Sequence, residues 1–126
     1  MINKISFLFL FFLSLYIKAQ NNDFISLKKD QYGNALSYKF DKALNNEFFF
    51  WFKIDYTEKN DPAFSSNEYY INAKCDNISS AMLSYKNDWR IDDEDDKVIE
   101  VPKNDIIYVP VKKNEKIYFL FDKYCK

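Results

Sequence analysis

Twice between Leu36 and Tyr56 the chain alternates apolar and polar residues over several steps, and this period of two limits its fold more than any other feature. Side chains alternate across a strand, whereas on a helix they recur every 3.6 residues. In Leu36-Ser37-Tyr38-Lys39-Phe40-Asp41 the exchange is strict, as on a strand with one wet face. Asn45-Asn46 interrupts it at a turn. Phe48, Phe50, Phe52, Ile54 and Tyr56 then share one side, and Phe49 and Trp51, followed by Lys53 and Asp55, share the other. A strand apolar on both faces belongs in the middle of a sheet or under a loop.

The pattern returns downstream. Residues 57–67 form a polar loop around Pro62, after which Tyr69, Ile71, Ala73 and Cys75 alternate with Glu68, Tyr70, Asn72 and Lys74. Ala81, Leu83 and Tyr85 suggest a further strand, with a single helical turn as the alternative. Residues 87–97 are a charged loop. Val98 to Val101 and Ile106 to Val111 flank Lys103-Asn104-Asp105, a hairpin signal. A last strand is expected from Lys116 to about Cys125, with Ile117, Phe119 and Phe121 on one face. Phe24, Ile25 and Leu27 suggest an edge strand. Six to seven short strands without a long helical period predict an all-β fold, an antiparallel β-sandwich of jelly-roll or Ig-like form. Tight turns favour glycine at positive φ, and this chain has one glycine; its thirteen asparagines can take part of that duty.

The first nineteen residues read as a leader. Lys4 ends a positive region, Ile5 to Ile17 is apolar except for Ser6 and Ser14, and Ala19 offers a small residue before a cut. A membrane-spanning helix needs roughly 20 apolar residues, so the layout is that of a secretory signal peptide. An uncleaved anchor is the alternative. The expectation is therefore a signal peptide at 1–19, a single domain at 20–126, and a secreted or periplasmic location. Lys4 and Lys18 leave with the leader, so sixteen basic residues face nineteen acidic ones, a net charge of −3. That balance gives no basic footprint for nucleic acid and little pull toward an anionic membrane.

The two cysteines, Cys75 and Cys125, share strand parity with apolar neighbours. In an oxidising compartment an even pair reads as a disulfide. The rival, a reactive thiol, has no histidine or basic cluster nearby to lower its pKa.

The chain has no histidine, which removes the commonest general base and zinc ligand, and two cysteines are too few for the usual structural zinc sites. No Ser-His or Cys-His pair can exist, and no particular carboxylate dyad stands out. A non-enzyme with no cofactor is the expectation, with a small carboxylate hydrolase as a third reading. Asp88, Asp92, Asp93, Asp95 and Asp96 form a carboxylate-rich run that would suit calcium; a solvated loop is the plain alternative. Trp51, Phe49, Tyr70 and Tyr118, with Tyr124, could set aromatic rings on an outer sheet face, where flat rings stack on sugars or anchor a protein. The alternative is a second buried layer. Asn77-Ile78-Ser79 fits the N-glycosylation pattern, which bears on the protein only if its source glycosylates exported chains.

From Phe48 to Phe121 the order of features resembles the PPC-type β-sandwich modules found at the ends of secreted bacterial peptidases. The similar points are Phe50-Trp51-Phe52, Leu83-Ser84-Tyr85 ahead of Asp92-Asp93, Tyr108-Val109-Pro110-Val111, and the aromatic run from Ile117 to Phe121. The resemblance implies a jelly-roll-like sandwich with an accessory binding role and supplies no catalytic residue. The resulting expectation is a binding module for a protein or glycan. An inhibitor or immunity-type protein, whose acidic loop pairs with a basic active site, is the alternative.

Overall fold

The computed structural model describes residues 24–89 and 97–125. Residues 1–19, read above as a leader, lie outside the described residues.

The period of two is realised as expected. The strands are β1 (Ile25–Ser26), β2 (Ala35–Leu44), β3 (Glu47–Asp55), β4 (Phe64–Lys74), β5 (Ser79–Trp89), β6 (Val98–Glu100) and β7 (Val109–Pro110). All seven belong to one sheet in the order β1-β2-β3-β4-β5-β6, with β7 also on β5, and every pairing is antiparallel. The all-β class and the strand count thus hold. Because each of the first five strands pairs with the next in sequence, most of the sheet is built from local hairpins.

Two turns use residues that tolerate unusual backbone, although β-branched Ile78 in the β4–β5 turn also takes a positive φ, 48°. Asn45, in the two-residue link between Leu44 and Glu47, has φ 42°, and the lone glycine, Gly33, has φ 86° in the loop before β2. That loop is organised by Asp30, whose carboxylate accepts from the Tyr32 and Asn34 amides at 2.9 Å each. Burial would raise the Asp30 pKa, but these hydrogen bonds, including one from the Asn34 side chain, outweigh it and lower the pKa. Buried Asn34 then reaches across to the loop before β4, accepting from the Thr57 amide and the Asn60 side chain.

The inner face holds the core. Tyr38, Phe48, Phe50 and Ala73 on β2 to β4 cluster with Val111, Leu120 and Phe121, and Phe48, Phe50 and Leu120 are fully buried. Tyr38, Phe52, Tyr69 and Tyr85 follow one another across four strands in register.

The expected last strand is instead a helix, α1 (Tyr118–Tyr124). The segment carries two apolar periods at once. Ile117, Phe119 and Phe121 suit a strand, whereas Ile117, Leu120, Phe121 and Tyr124 fall at i, i+3, i+4 and i+7 and suit a helix. The helical set wins because it caps the aromatic inner face: Phe48 meets Phe121 edge-on at 5.3 Å and Phe40 stacks on Tyr124 at 4.2 Å. Phe119 is left 40% exposed. Directly after the helix, Cys125 is joined to Cys75, just beyond β4, with Cα atoms 5.6 Å apart.

The hairpin expected around Lys103-Asn104-Asp105 is also not formed. β6 pairs with Ser84 to Lys86 and β7 with Ser79 and Ser80, so both run along β5 in the same direction as a single interrupted edge. Residues 101–108, including a 3₁₀ turn at Lys103–Asp105, leave the sheet between them. The β5 strand is longer than expected, reaching Trp89 and taking the start of the supposed charged loop into the sheet.

Candidate functional site: an aromatic strip on the open sheet face

The face opposite the helix is built from the other half of the alternation. In register, Lys39, Trp51, Tyr70 and Ser84 form one cross-strand row, and Ser37, Lys53, Glu68 and Lys86 form the next. The second row is a charge ladder. Lys86 lies 3.6 Å from Glu68 and 3.6 Å from Asp88, and Lys53 lies 3.7 Å from Asp55. Ion pairs that still reach solvent, as these do, contribute little stability each, so this row mainly fixes which charges the surface shows.

The first row, with Phe49 from the row beside it, carries the rings. Phe49, Trp51 and Tyr70 are half-buried and contiguous, as the sequence suggested: Trp51 and Tyr70 have centroids 4.9 Å apart at a tilt of 43°, and Phe49 and Tyr70 are 5.9 Å apart at 19°. Tyr70 is the central ring. Its hydroxyl donates to the Asp41 carboxylate on β2, two strands away, which draws the side chain over β3. Burial, then the hydrogen bond to Asp41 and its negative charge, raise the Tyr70 pKa well above the ordinary phenol value.

Asp41 is available for this because of a bulge. The register steps from Phe40 opposite Phe50 to Lys42 opposite Phe49, leaving Asp41 without a direct partner. The extra residue shifts the phase of the alternation by one, and in the sequence it shows only as the adjacent polar pair Asp41-Lys42, which reads equally as the end of the strand.

Two further rings border the strip. Phe24 lies under the ammonium groups of Lys39 and Lys53, 5.1 and 5.3 Å from its centroid. On the other side, Tyr108 comes from the segment that leaves the sheet between β6 and β7. Its hydroxyl donates to Asn72 Oδ1 at 2.5 Å, and Lys74 Nζ sits 4.3 Å from its ring. Asn72 is buried and also donates to the Phe48 carbonyl at 3.3 Å. Phe24 directly precedes the edge strand β1 that the sequence suggested, whereas the Tyr108 border was not legible, because it depends on the segment that leaves the sheet between β6 and β7.

Tyr118 is not part of the strip. It lies on α1 against the inner-face cluster, 6.3 Å from Phe121, and Tyr124 is likewise packed on the inner face. Strand parity would put both on an outer face, and the helix replaces that parity. Of the carboxylates suggested for calcium, Asp92, Asp93, Asp95 and Asp96 lie outside the described residues. Asp88 is engaged within the sheet, accepting from the Ser66 hydroxyl at 2.6 Å and facing Lys86. Among the described residues no three His, Cys, Asp or Glu side chains gather as a metal site would require.

A depression of about 470 Å³ lies at the β2–β3 turn, lined by Leu44, Asn45, Asn46, Glu47, Lys74 and Asp76. It is bounded by turn residues and mixed charges without a convergent set, so the ring strip is the better candidate. Among the described residues no helix is long and apolar enough to cross a membrane. No protein family, curated protein or solved structure matches this chain.

Proposed function

We propose that this chain is a small exported binding module that recognises a protein or glycan through its open sheet face and performs no catalysis of its own. One observation carries the reading: Phe49, Trp51 and Tyr70 are contiguous on the face that the disulfide-anchored helix does not cover. A sheet that closes one face with a helix has no structural need for three large rings on the other. The tethering of Tyr70 by Asp41 supports the same reading, since a ring held in one orientation binds with less loss of side-chain freedom. Export is supported by the Cys75–Cys125 disulfide, which suits an oxidising compartment, and by the leader-like first nineteen residues.

The test uses the disulfide-intact chain against an immobilised panel of saccharides and surface proteins. Trp51→Ala and Tyr70→Ala should each lose binding by tenfold or more while far-ultraviolet circular dichroism stays unchanged. Binding that survives both substitutions would remove this face from consideration.

A further inference from the structure

We propose that the open face takes an anionic saccharide, a chain of sugar rings bearing carboxylate or sulfate groups. Trp51 and Phe49 stack on the rings, while Lys39 and Lys42 meet the charges. This inference rests on the binding reading above and narrows it to one ligand class.

The strip is a set of basic-aromatic pairs. Lys39 on β2 stands directly opposite Trp51 on β3, and Lys42 stands directly opposite Phe49. The bulge is responsible for the second pair, because in an unbroken register Asp41 would face Phe49 and put a carboxylate there. Lys42 Nζ rests 5.0 Å from the Phe49 centroid, and Lys39 shares the Phe24 ring with Lys53. Among the described residues neither Lys39 nor Lys42 has a carboxylate within salt-bridge distance, whereas Lys53 and Lys86 on the same face both do. The acid nearest the strip, Asp41, is engaged by the Tyr70 hydroxyl. The aromatic end of the face therefore presents ammonium groups that rest on rings. Such contacts are weak at exposed sites and readily exchanged for an anion.

The geometry favours sugars over an acidic peptide. Peptides are usually captured by strand addition at an edge or by a groove, and this strip lies on the flat face of the two central strands β3 and β4. Phe49 and Trp51, two residues apart on one strand face, are spaced about 7 Å along it. That spacing suits an extended ligand that offers successive flat rings.

The experiment uses the disulfide-intact chain from residue 20 onward carrying Trp89→Phe, so that Trp51 is the only indole. Its fluorescence is titrated with oligogalacturonate (carboxylate), a heparin oligosaccharide (sulfate), a neutral cello-oligosaccharide and poly-glutamate. At least one acidic saccharide should bind ten times or more tighter than the neutral one. The double variant Lys39→Gln, Lys42→Gln should weaken that binding at least tenfold and flatten its salt dependence, with circular dichroism unchanged. The relative strength of the two acidic arms assigns carboxylate or sulfate. Equal binding of the neutral saccharide, indifferent to the lysine substitutions, would overturn the anionic inference and leave the binding face standing. Poly-glutamate binding as tightly as any saccharide would overturn the ligand class. Absence of any acidic-saccharide binding at millimolar concentration would also overturn the inference. The broader reading falls separately, through the Trp51→Ala and Tyr70→Ala panel.

Discussion

The Tyr70 hydroxyl donates to Asp41 across the full width of β3, joining β4 to β2 over the top of the strand between them. This bond fixes the middle ring of the open face. Removing it should matter more for binding than for folding. Tyr70→Phe keeps the ring and loses the tether, and should cost about 1 kcal/mol. In urea unfolding the midpoint should fall while the slope stays constant. Asp41→Ala should match it in stability, and a double variant should add little to either single change.

Alkaline pH should destabilise the protein. Tyr56 is pushed up to about 12 by burial first and by the neighbouring Tyr69, and Tyr70 is raised for the reasons given above. A phenol whose pKa is higher folded than unfolded keeps its proton in the native state after the unfolded chain has begun to lose it. Its contribution is complete below pH 10 and is lost as pH rises through the folded value. The melting temperature should therefore decline above pH 10, with the Tyr56 share of the decline falling between pH 10 and 12. Tyr56→Phe should make that part of the decline shallower. Tyrosinate absorbance at alkaline pH should show at least two phenols titrating late.

The helix can be tested by two adjacent substitutions. Leu120 is fully buried and Phe119 is 40% exposed. Leu120→Ala should cost 2–5 kcal/mol, and Phe119→Ala about 1 kcal/mol through its edge contact with Tyr38. Chemical denaturation of both variants reads the order directly. The reverse order would mean that the segment is a strand after all.

Cys75→Ser with Cys125→Ser opens a loop whose ends are 50 residues apart. The chain-entropy model gives a loss of about 4 kcal/mol for a loop of this size. A reduced or serine-substituted chain should melt far below the oxidised one. It should also bind a hydrophobic dye, because the helix that covers Phe48 and Phe50 would no longer be anchored.

Gly33→Ala isolates backbone strain. A Cβ built at Gly33 meets nothing within 4 Å, so the cost comes from φ 86° alone. A loss of about 1 kcal/mol is expected, read as a melting shift of roughly 4–8 °C.

Which parts of this molecule were legible in the sequence follows from how local each cause is. β2 and β3 are written in a period of two that concerns only neighbouring residues, and they fold as read. Asn45 could be expected to stand in for glycine because its side chain tolerates positive φ. The segment from Ile117 to Tyr124 satisfies two periods, and what decides between them is the unfilled aromatic face of β2 to β4, which is distant in sequence. The 98–111 region misled for a similar reason. A short apolar run, a polar triplet and a second apolar run fit a hairpin, but they also fit a broken edge when β5 is long enough to accept both pieces. In the candidate site, the placement of Phe49, Trp51 and Tyr70 follows from alternation. The pairing of Lys42 with Phe49 depends on one unpaired residue, and the polar pair Asp41-Lys42 that marks it looks the same as a strand end.

The break between β6 and β7 also affects how the protein meets its surroundings. A straight eleven-residue β5 with a bare flank would offer a long row of unpaired amides and carbonyls to any extended chain nearby, a common start to fibre growth. The last strands divide that flank instead: a three-residue piece covers one stretch, a two-residue piece another, and the detour between them carries Tyr108 onto Asn72. The break thus shortens the run of continuous backbone that this flank offers to a neighbouring chain. Straightening it by deleting the detour should yield a chain that still folds but precipitates on concentration.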